Sequence, residues 1–166
     1  QTLCQRNQEE RKKKGHRDSE QPFQFKDVKV QDIEWEIAVS LSDGSFNQTS
    51  FVNGIYTPEG GEHITYIRNK LVKGISDYIK NIKKKTIDKT EYIRNNLWIF
   101  VNAVVINPSF GGQTKRQMTL EAANFFYKCK IPDEFIESLE KKCKITARVL
   151  RVSEAIEIEK FEGGSK

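Results

Sequence analysis

The sequence predicts one domain that combines β-strands with amphipathic helices, and three stretches indicate this. Residues 98–106 carry eight apolar side chains in nine positions, most of them β-branched or aromatic, which is typical of a strand buried on both faces. Residues 33–41 alternate apolar and polar, as a half-buried strand does. After Ile64 the apolar residues recur every three or four positions, as on one face of a helix. A chain of 166 residues can bury one core of this kind.

The chain is expected to begin with a segment that stands apart from this domain. Residues 1–32 are rich in Gln, Glu, Lys and Arg, so we interpret them as a flexible lead-in or insertion. Their basic run Arg11–Lys14 is either a solvated charge run or an arm that contacts nucleic acid. The domain then covers residues 33–161, and residues 162–166 form a tail in a chain that looks like a piece of a larger protein.

The first ordered elements are predicted to be two strands joined by a turn. The alternating strand Ile33–Leu41 is followed by Asp43-Gly44, a dipeptide that favours a tight turn. Residues 46–55 form the second strand, so the pattern predicts an antiparallel hairpin. A loop with Pro58 and the pair Gly60-Gly61 follows.

The amphipathic helix carries the densest positive charge of the chain. Its apolar stripe consists of Ile67, Leu71, Ile75, Tyr78, Ile79 and Ile82. It ends in Lys83-Lys84-Lys85, and residues 68–94 contain nine basic and three acidic side chains. Cations complement the negative end of a helix dipole, so this run is either a favourable helix end or a patch that contacts phosphates.

The remaining elements are less regular. Residues 88–96 are predicted to form a short helical linker, and residues 120–131 are ambiguous. Pro132-Asp133-Glu134 is typical of a helix start, and Phe135, Leu139 and Cys143 continue at helical spacing. We therefore expect one long terminal helix, although residues 156–159 alternate and could be extended.

A polar loop follows the buried strand. Asn107-Pro108 ends the strand, and Gly111-Gly112 allows the chain to bend before Gln113-Thr114-Lys115. If this tripeptide is extended, the Gln113 amide and the Lys115 ammonium project together, and such a donor pair suits an anion. The alternative is a polar connection with a solvated lysine. A Walker-type phosphate loop is excluded, because the lysine comes three residues after Gly112 and no helix pattern follows.

Composition limits the other classes of function. The three cysteines, Cys4, Cys129 and Cys143, show neither a disulfide framework nor metal-ligand spacing, so no metal site is predicted. The longest apolar run is too short for a membrane span, so no membrane partner is expected. The net charge of +5 is concentrated near the helix end described above.

Several stretches together resemble the transducer domain of the eukaryotic-type ATPase region in the type IIA DNA topoisomerases. The matching stretches are Ser50–Ile55, Gly60–His63, Leu97–Ala103, Asn107-Pro108 and Gln113–Lys115. They occur in the family's order over residues 34–150, and the combination is specific although each piece alone is not.

The resemblance implies an α+β two-layer fold, with a mixed β-sheet, helices on one face and a left-handed β-α-β crossover, as in a ribosomal-protein domain 2-like transducer. It implies that the chain joins a GHKL nucleotide-binding domain to a DNA-cleaving core. By position, Gln113, Thr114 and Lys115 bind ATP, and Lys115 is the catalytic residue at the terminal phosphate. Lysine is a compact charge suited to phosphoryl transfer.

The family's DNA-contacting lysine run implies a DNA-binding role for Lys80, Lys83, Lys84 and Lys85. The run should begin at Lys80, but Asn81 and Ile82 interrupt it, so the contacting residues are open. His63 matches the family's turn, where a hydrogen-bonded residue at the helix start is expected rather than a catalyst.

The implied function is coupling of ATP binding and hydrolysis to DNA gate closure and strand passage in a homodimeric, nuclear enzyme, or a viral one. The implied cofactor is ATP with Mg²⁺, held mainly by the GHKL domain, and the implied partner is double-stranded DNA. The family's general base, metal ligand, nucleotide lid and cleaving tyrosine lie outside this chain, so the isolated piece is expected to be inactive. The alternatives are a non-enzymatic basic nucleic-acid-binding module and the transducer of a mismatch-repair GHKL ATPase.

Overall fold

The computed structural model describes residues 23–30, 33–87, 90–126 and 128–163, with side chains described from Trp35 to Glu159. Its five strands are β1 (Phe23–Val30), β2 (Ile33–Leu41), β3 (Asn47–Val52), β4 (Ile55–Tyr56) and β5 (Leu97–Ala103). They form one mixed sheet in the order β1-β2-β5-β3-β4. The helices are α1 (Glu62–Ile82), α2 (Glu91–Asn95), α3 (Asp133–Cys143) and α4 (Ile145–Gly163).

Strand β5 lies at the centre of the sheet. It pairs with β2 in antiparallel register, Ile37 opposite Val101, and with β3 in parallel register, Ser50 opposite Val101. The predicted buried strand is therefore confirmed, although it ends at Ala103 rather than Ile106. Beyond Ala103 the backbone of Val105 bonds to the Asn53 side chain instead of to a neighbouring strand. The Val105 N–H donates to Asn53 Oδ1 at 2.8 Å, and the Asn53 amide donates to the Val105 carbonyl at 2.9 Å.

The predicted hairpin of residues 33–55 is wrong. Strands β2 and β3 run in opposite directions but do not pair, because β5 lies between them and bonds to both. A strand that is apolar on both faces gains most from a central position, where both faces and both edges are covered. The tight hairpin is instead formed by β3 and β4 around Asn53 and Gly54, which have positive φ angles of 50° and 76°.

The lead-in prediction fails for part of its range. Residues 23–30 form strand β1, which pairs antiparallel with β2, Phe25 opposite Ile37. Phe23 and Phe25 are two positions apart, as are Val28 and Val30, which is the period of a strand, but the break between Phe25 and Val28 and the surrounding charge obscured it. Residues 1–22, 31 and 32 lie outside the described part of the chain, as does the tail from 164. The domain boundaries at 33 and 161 stay predictions.

Helix α1 covers one face of the sheet, as its apolar stripe predicts. Ile67, Leu71, Ile75 and Ile79 are fully buried in one cluster with Ile37 and Val39 of β2 and with Ile99 and Val101 of β5. Ile82 was included in the stripe, but it is 61% exposed because the helix ends there. At Gly74 the helix approaches α3 closely, since a Cβ atom would lie 3.1 Å from Ile136.

The predicted long terminal helix is divided in two. Lys144 adopts a left-handed conformation with φ of 48°, which ends α3 and redirects the chain into α4. Residues 156–159 belong to α4, so the extended alternative is wrong. Arg148 of α4 fixes this helix to the loops that adjoin the end of β2 and the start of β5, by donating to the Asn96 side chain at 3.0 Å and the Ser42 carbonyl at 2.7 Å.

The fold is thus α+β, with a mixed sheet and helices on one face, as expected. The β3–α1–β5 unit is a parallel crossover, and the left-handed sense that the resemblance implies stays a prediction. Within the described ranges, no helix combines the length and apolar composition that crossing a membrane requires. Cys129 and Cys143 are free thiols in the core, and burial raises the pKa of Cys129 to about 11.

Candidate functional site: a polar hairpin at the start of helix α1

The predicted phosphate-binding residues lie at the tip of a short hairpin, residues 109–119. Two backbone bonds close it, from the Thr119 N–H to the Ser109 carbonyl at 2.8 Å and from the Gly111 N–H to the Gln117 carbonyl at 3.0 Å. Its tip is a turn in which the Lys115 N–H donates to the Gly112 carbonyl at 3.0 Å. We call this element the 109–119 hairpin.

The turn contradicts the extended geometry considered for the Gln113–Lys115 loop. Gln113 and Thr114 are its central residues, and Lys115 has a positive φ of 53°. Alternation along an extended strand therefore does not decide where Gln113 and Lys115 point. All three side chains are exposed, and the Lys115 ammonium lies 5.6 Å from the centroid of the Phe110 ring. The loop presents an amide, a hydroxyl and an ammonium group to solvent, which are donors suited to phosphate oxygens.

The hairpin is attached to the chain that begins α1. Gly61 and Met118 form a β-bridge, in which the Met118 N–H donates to the Gly60 carbonyl and the Glu62 N–H donates to the Met118 carbonyl. Nearer the tip, the Glu59 N–H donates to the Arg116 carbonyl, and the Arg116 guanidinium pairs with the Glu59 carboxylate at 2.6 Å. The loop is therefore exposed at its tip and fixed at its base.

A buried polar network supports the turn of residues 57–61 from below. Ser50 and Thr57 share a hydroxyl contact of 2.7 Å, and Thr57 Oγ1 lies 3.3 Å from His63 Nε2. His63 is fully buried, and desolvation lowers its pKa from 6.5 to about 4. A neutral imidazole in the first turn of α1 confirms the structural role expected for His63.

The lysine cluster, Lys80, Lys83, Lys84 and Lys85, lies at the opposite end of α1. All four side chains are exposed, but two of them face acidic partners. Lys83 lies 3.5 Å from Glu140 of α3, and Lys85 lies 2.9 Å from Glu154 of α4. Among the described residues, Lys80 and Lys84 have no such ion pair. The charge available to an external anion is therefore smaller than the sequence indicates.

The structure does not bring the two predicted sites together. A helix of 21 residues is roughly 31 Å long, and the loop and the lysine cluster lie at its two ends. In the described part of the chain, no group of three His, Cys, Asp or Glu residues could hold a metal ion. Sequence reasoning missed Met118 and Arg116, which lie next to the loop. The only signal for them was the position of Met118 as an isolated apolar residue in a polar stretch.

Comparison with known proteins identifies the family of this chain. Residues 5–160 match the family described as DNA gyrase B. DNA topoisomerase 2 of Saccharomyces cerevisiae is 41% identical over 135 residues, and that of Pisum sativum is 43% identical over 107 residues. These alignments cover 80% and 64% of this chain but only 9% and 7% of the two relatives. The chain therefore spans a small part of the proteins that it matches.

Solved structures show the same relationship. The ATPase region of Saccharomyces cerevisiae topoisomerase II superimposes with a TM-score of 0.67 at 37% identity, over 80% of this chain and 33% of that one. The ATPase and transducer domains of DNA topoisomerase II from Balamuthia mandrillaris give a TM-score of 0.68 at 41% identity, over 74% and 32%. The ATPase domain of Thermus thermophilus gyrase B shares the fold at 18% identity. The chain therefore belongs to the DNA gyrase B family, within the ATPase region of the type IIA DNA topoisomerases.

Proposed function

We propose that this chain is the transducer domain of an ATP-dependent type II DNA topoisomerase, which we call the parent enzyme. In it the chain couples ATP binding and hydrolysis to DNA gate closure and strand passage. The observation that carries the proposal is the 109–119 hairpin, whose base is fixed to α1 and whose exposed tip presents Lys115. Family membership supports it, because the relatives are topoisomerases and their matching structures are ATPase regions.

At the ATP site we assign Gln113, Thr114 and Lys115 to the terminal phosphate. An exposed ammonium on a fixed hairpin can enter a nucleotide site on a neighbouring domain, where exclusion of water strengthens its attraction to phosphate. Lys115 then stabilises the charge that develops as the phosphoryl group is transferred, and Gln113 adds an amide donor. ATP, whose terminal phosphoryl group is the one transferred, and its Mg²⁺ would be held mainly by a GHKL domain of the parent enzyme.

The second role that we propose is contact with double-stranded DNA through the lysine cluster. Lys80 and Lys84 make the first contacts, because Lys83 and Lys85 already face carboxylates. The remaining proposed partners are the DNA-cleavage core of the same polypeptide and a second subunit of a homodimer. The topoisomerase 2 relatives from Saccharomyces cerevisiae and Pisum sativum are eukaryotic, which supports a nuclear location.

The test is Lys115→Ala in the parent enzyme. Loss of a positioned donor at developing charge lowers kcat by on the order of 10²–10³. Stability should change by at most about 0.5 kcal/mol, since the side chain is exposed. Gln113→Ala should give a milder loss. Lys130→Ala removes a lysine that is also exposed, from another loop, and serves as the control, with unchanged turnover.

Steady-state ATPase assays and ATP-analogue-induced trapping of circular DNA measure the two consequences. If Lys115→Ala hydrolyses ATP and closes its gate as the parent enzyme does, the loop is only a connection and the proposal fails. If the chain were a non-enzymatic basic nucleic-acid-binding module, its protein would bind DNA but would show no ATP turnover before or after the change. No observation on the hairpin favours this alternative, and the ion pairs of the lysine cluster weaken it.

A further inference from the structure

Helix α1 begins without a side chain to cap it. Gly61 occupies the N-cap position, so no hydroxyl or carboxylate is available there to accept from the first free amides. The Glu62 N–H instead donates to the Met118 carbonyl at 3.0 Å. The first amide of α1 is therefore satisfied by the backbone of the 109–119 hairpin, three residues after Lys115.

The approach of the two backbones at this point requires glycine. A Cβ atom on Gly61 would lie 2.1 Å from the Met118 carbonyl oxygen and 2.7 Å from the Met118 nitrogen. Both are backbone atoms, so rotation of a side chain cannot relieve the overlap. Gly61 also has a φ of 133°, which other residues rarely adopt. Met118 cannot retreat easily, because its side chain is fully buried in the core cluster.

A second, outer contact holds the same hairpin nearer its tip. Glu59 meets Arg116 through one backbone bond of 3.1 Å and one ion pair of 2.6 Å between exposed side chains. Arg116 is adjacent to Lys115 in the chain, so this contact fixes the backbone immediately beside the loop. The inner contact at Gly61 and the outer contact at Glu59 leave the tip little freedom to shift relative to α1.

We infer that Gly61 and Glu59 are positioning residues for ATP turnover, which hold Lys115 at a fixed place relative to α1 without touching the nucleotide. The inference rests on the proposed function, because it requires Lys115 to act at the terminal phosphate. A displacement of about 1 Å in a reacting or stabilising group can cost up to about a hundredfold in rate. Loss of the inner contact should therefore act on kcat, while ATP affinity, supplied mainly by another domain, changes little.

The principal test compares Gly61→Ala with Gly44→Ala in the parent enzyme. Gly44 also has a positive φ, 107°, but a Cβ atom there would meet nothing within 4 Å. Both variants strain the backbone, but only Gly61→Ala must push the hairpin away. We expect kcat to fall roughly tenfold to a hundredfold in Gly61→Ala, with the KM for ATP within about threefold of the parent value. Gly44→Ala should retain the parent kcat.

Limited trypsin digestion reports on the hairpin independently of turnover, because trypsin cleaves after Lys115 and Arg116. Cleavage there should be faster in Gly61→Ala than in Gly44→Ala. Equal cleavage, or equal kcat in two folded variants, would overturn the inference. Lys115→Ala, assayed in parallel, separates the two ideas. If Lys115→Ala abolishes turnover but Gly61→Ala leaves it unchanged, only the inference fails. If Lys115→Ala has no effect on turnover, the proposed function fails and the inference fails with it.

Glu59 provides a pair of variants that do not depend on the folding of Gly61→Ala. Glu59→Ala removes the acceptor for Arg116, whereas Glu59→Gln keeps an oxygen at the same place. Since the pair is exposed, neither change should lower the melting temperature appreciably. We expect kcat to fall a few-fold in Glu59→Ala and to be restored in Glu59→Gln. Equal kcat values in Glu59→Ala and the parent enzyme would refute a positioning role for the outer contact.

Discussion

Acidification should destabilise this fold through one histidine, His63. In the neutral form, His63 Nε2–H can donate to Thr57 Oγ1, Thr57 to Ser50, and the Ser50 hydroxyl to the Thr57 carbonyl at 3.1 Å. Every donor in this series of three hydrogen bonds has an acceptor. His63 Nδ1 is buried and has no hydrogen-bond partner among the described residues, so a proton added there would be a buried charge without an acceptor.

The pKa shift gives the size and the sign of the effect. Burial lowers the pKa of His63 from 6.5 to about 4, so the unfolded chain binds a proton in a range where the folded chain does not. The part of the free energy of unfolding that depends on neutral His63 is therefore fully present above pH 6.5 and is lost as the pH falls toward 4. The loss between pH 7 and pH 5 is about 2 kcal/mol, and the full loss below pH 4 is about 3 kcal/mol.

Urea denaturation at a series of pH values between 7 and 5 measures this loss, in a range where most carboxylates stay ionised. His63→Gln is the comparison, because an amide can donate to Thr57 but does not titrate. We expect the variant to be less stable at pH 7 by about 1–2 kcal/mol and to show a nearly flat profile from pH 7 to 5. Parallel profiles for the two proteins would show that His63 is not the group responsible.

Two further predictions concern contacts of α4. Arg148→Ala removes the two hydrogen bonds that hold α4 to the ends of β2 and β5, and it should lower the free energy of unfolding in urea by about 2–3 kcal/mol. Exposed Arg151→Ala should change it by at most about 0.5 kcal/mol. Equal losses would show that these bonds contribute nothing specific. Glu154→Gln releases Lys85 from its ion pair and should tighten DNA binding by the parent enzyme about twofold to fivefold at low salt. Glu157→Gln removes the same charge from an exposed position nearby, so equal gains would mean that Lys85 does not contact DNA.

The helices and the central strand could be predicted because their signals are local. The stripe through Ile67, Leu71 and Ile75 has the period of a helix, and burial of that stripe follows from its composition. The doubly apolar β5 was predicted for the same reason. Ile82 lies on the stripe by period but falls at the last residue of α1, so position along the helix, not period, determines its exposure.

Strand order could not be predicted, because it depends on partners far apart in the chain. The chain reverses direction through a bend at residues 43–45, but the short connection leads from β2 to β3 on the far side of β5 instead of closing a hairpin. Two strand spacings are only about 10 Å, so a few residues can bridge them. A turn sequence therefore predicts only that the chain reverses direction. Which strands become neighbours depends on which strand is apolar on both faces and so takes the central position in the sheet.

For the Gln113–Lys115 loop, the identity of the residues is not sufficient to predict the geometry of the site. Its side chains predict that the loop binds an anion. The direction in which they point depends on the turn at Gly112 and on the attachment of Met118 to Gly61. Those last two residues are 57 positions apart in sequence. The Gly60-Gly61 pair suggests only a loop when it is considered alone, whereas its φ angles and its contact with Met118 show that it ends the loop and begins the helix. Since one bridge both satisfies the first amide of α1 and holds the hairpin, a displacement of Met118 would disturb the first turn of the helix, whose other end carries the lysine cluster.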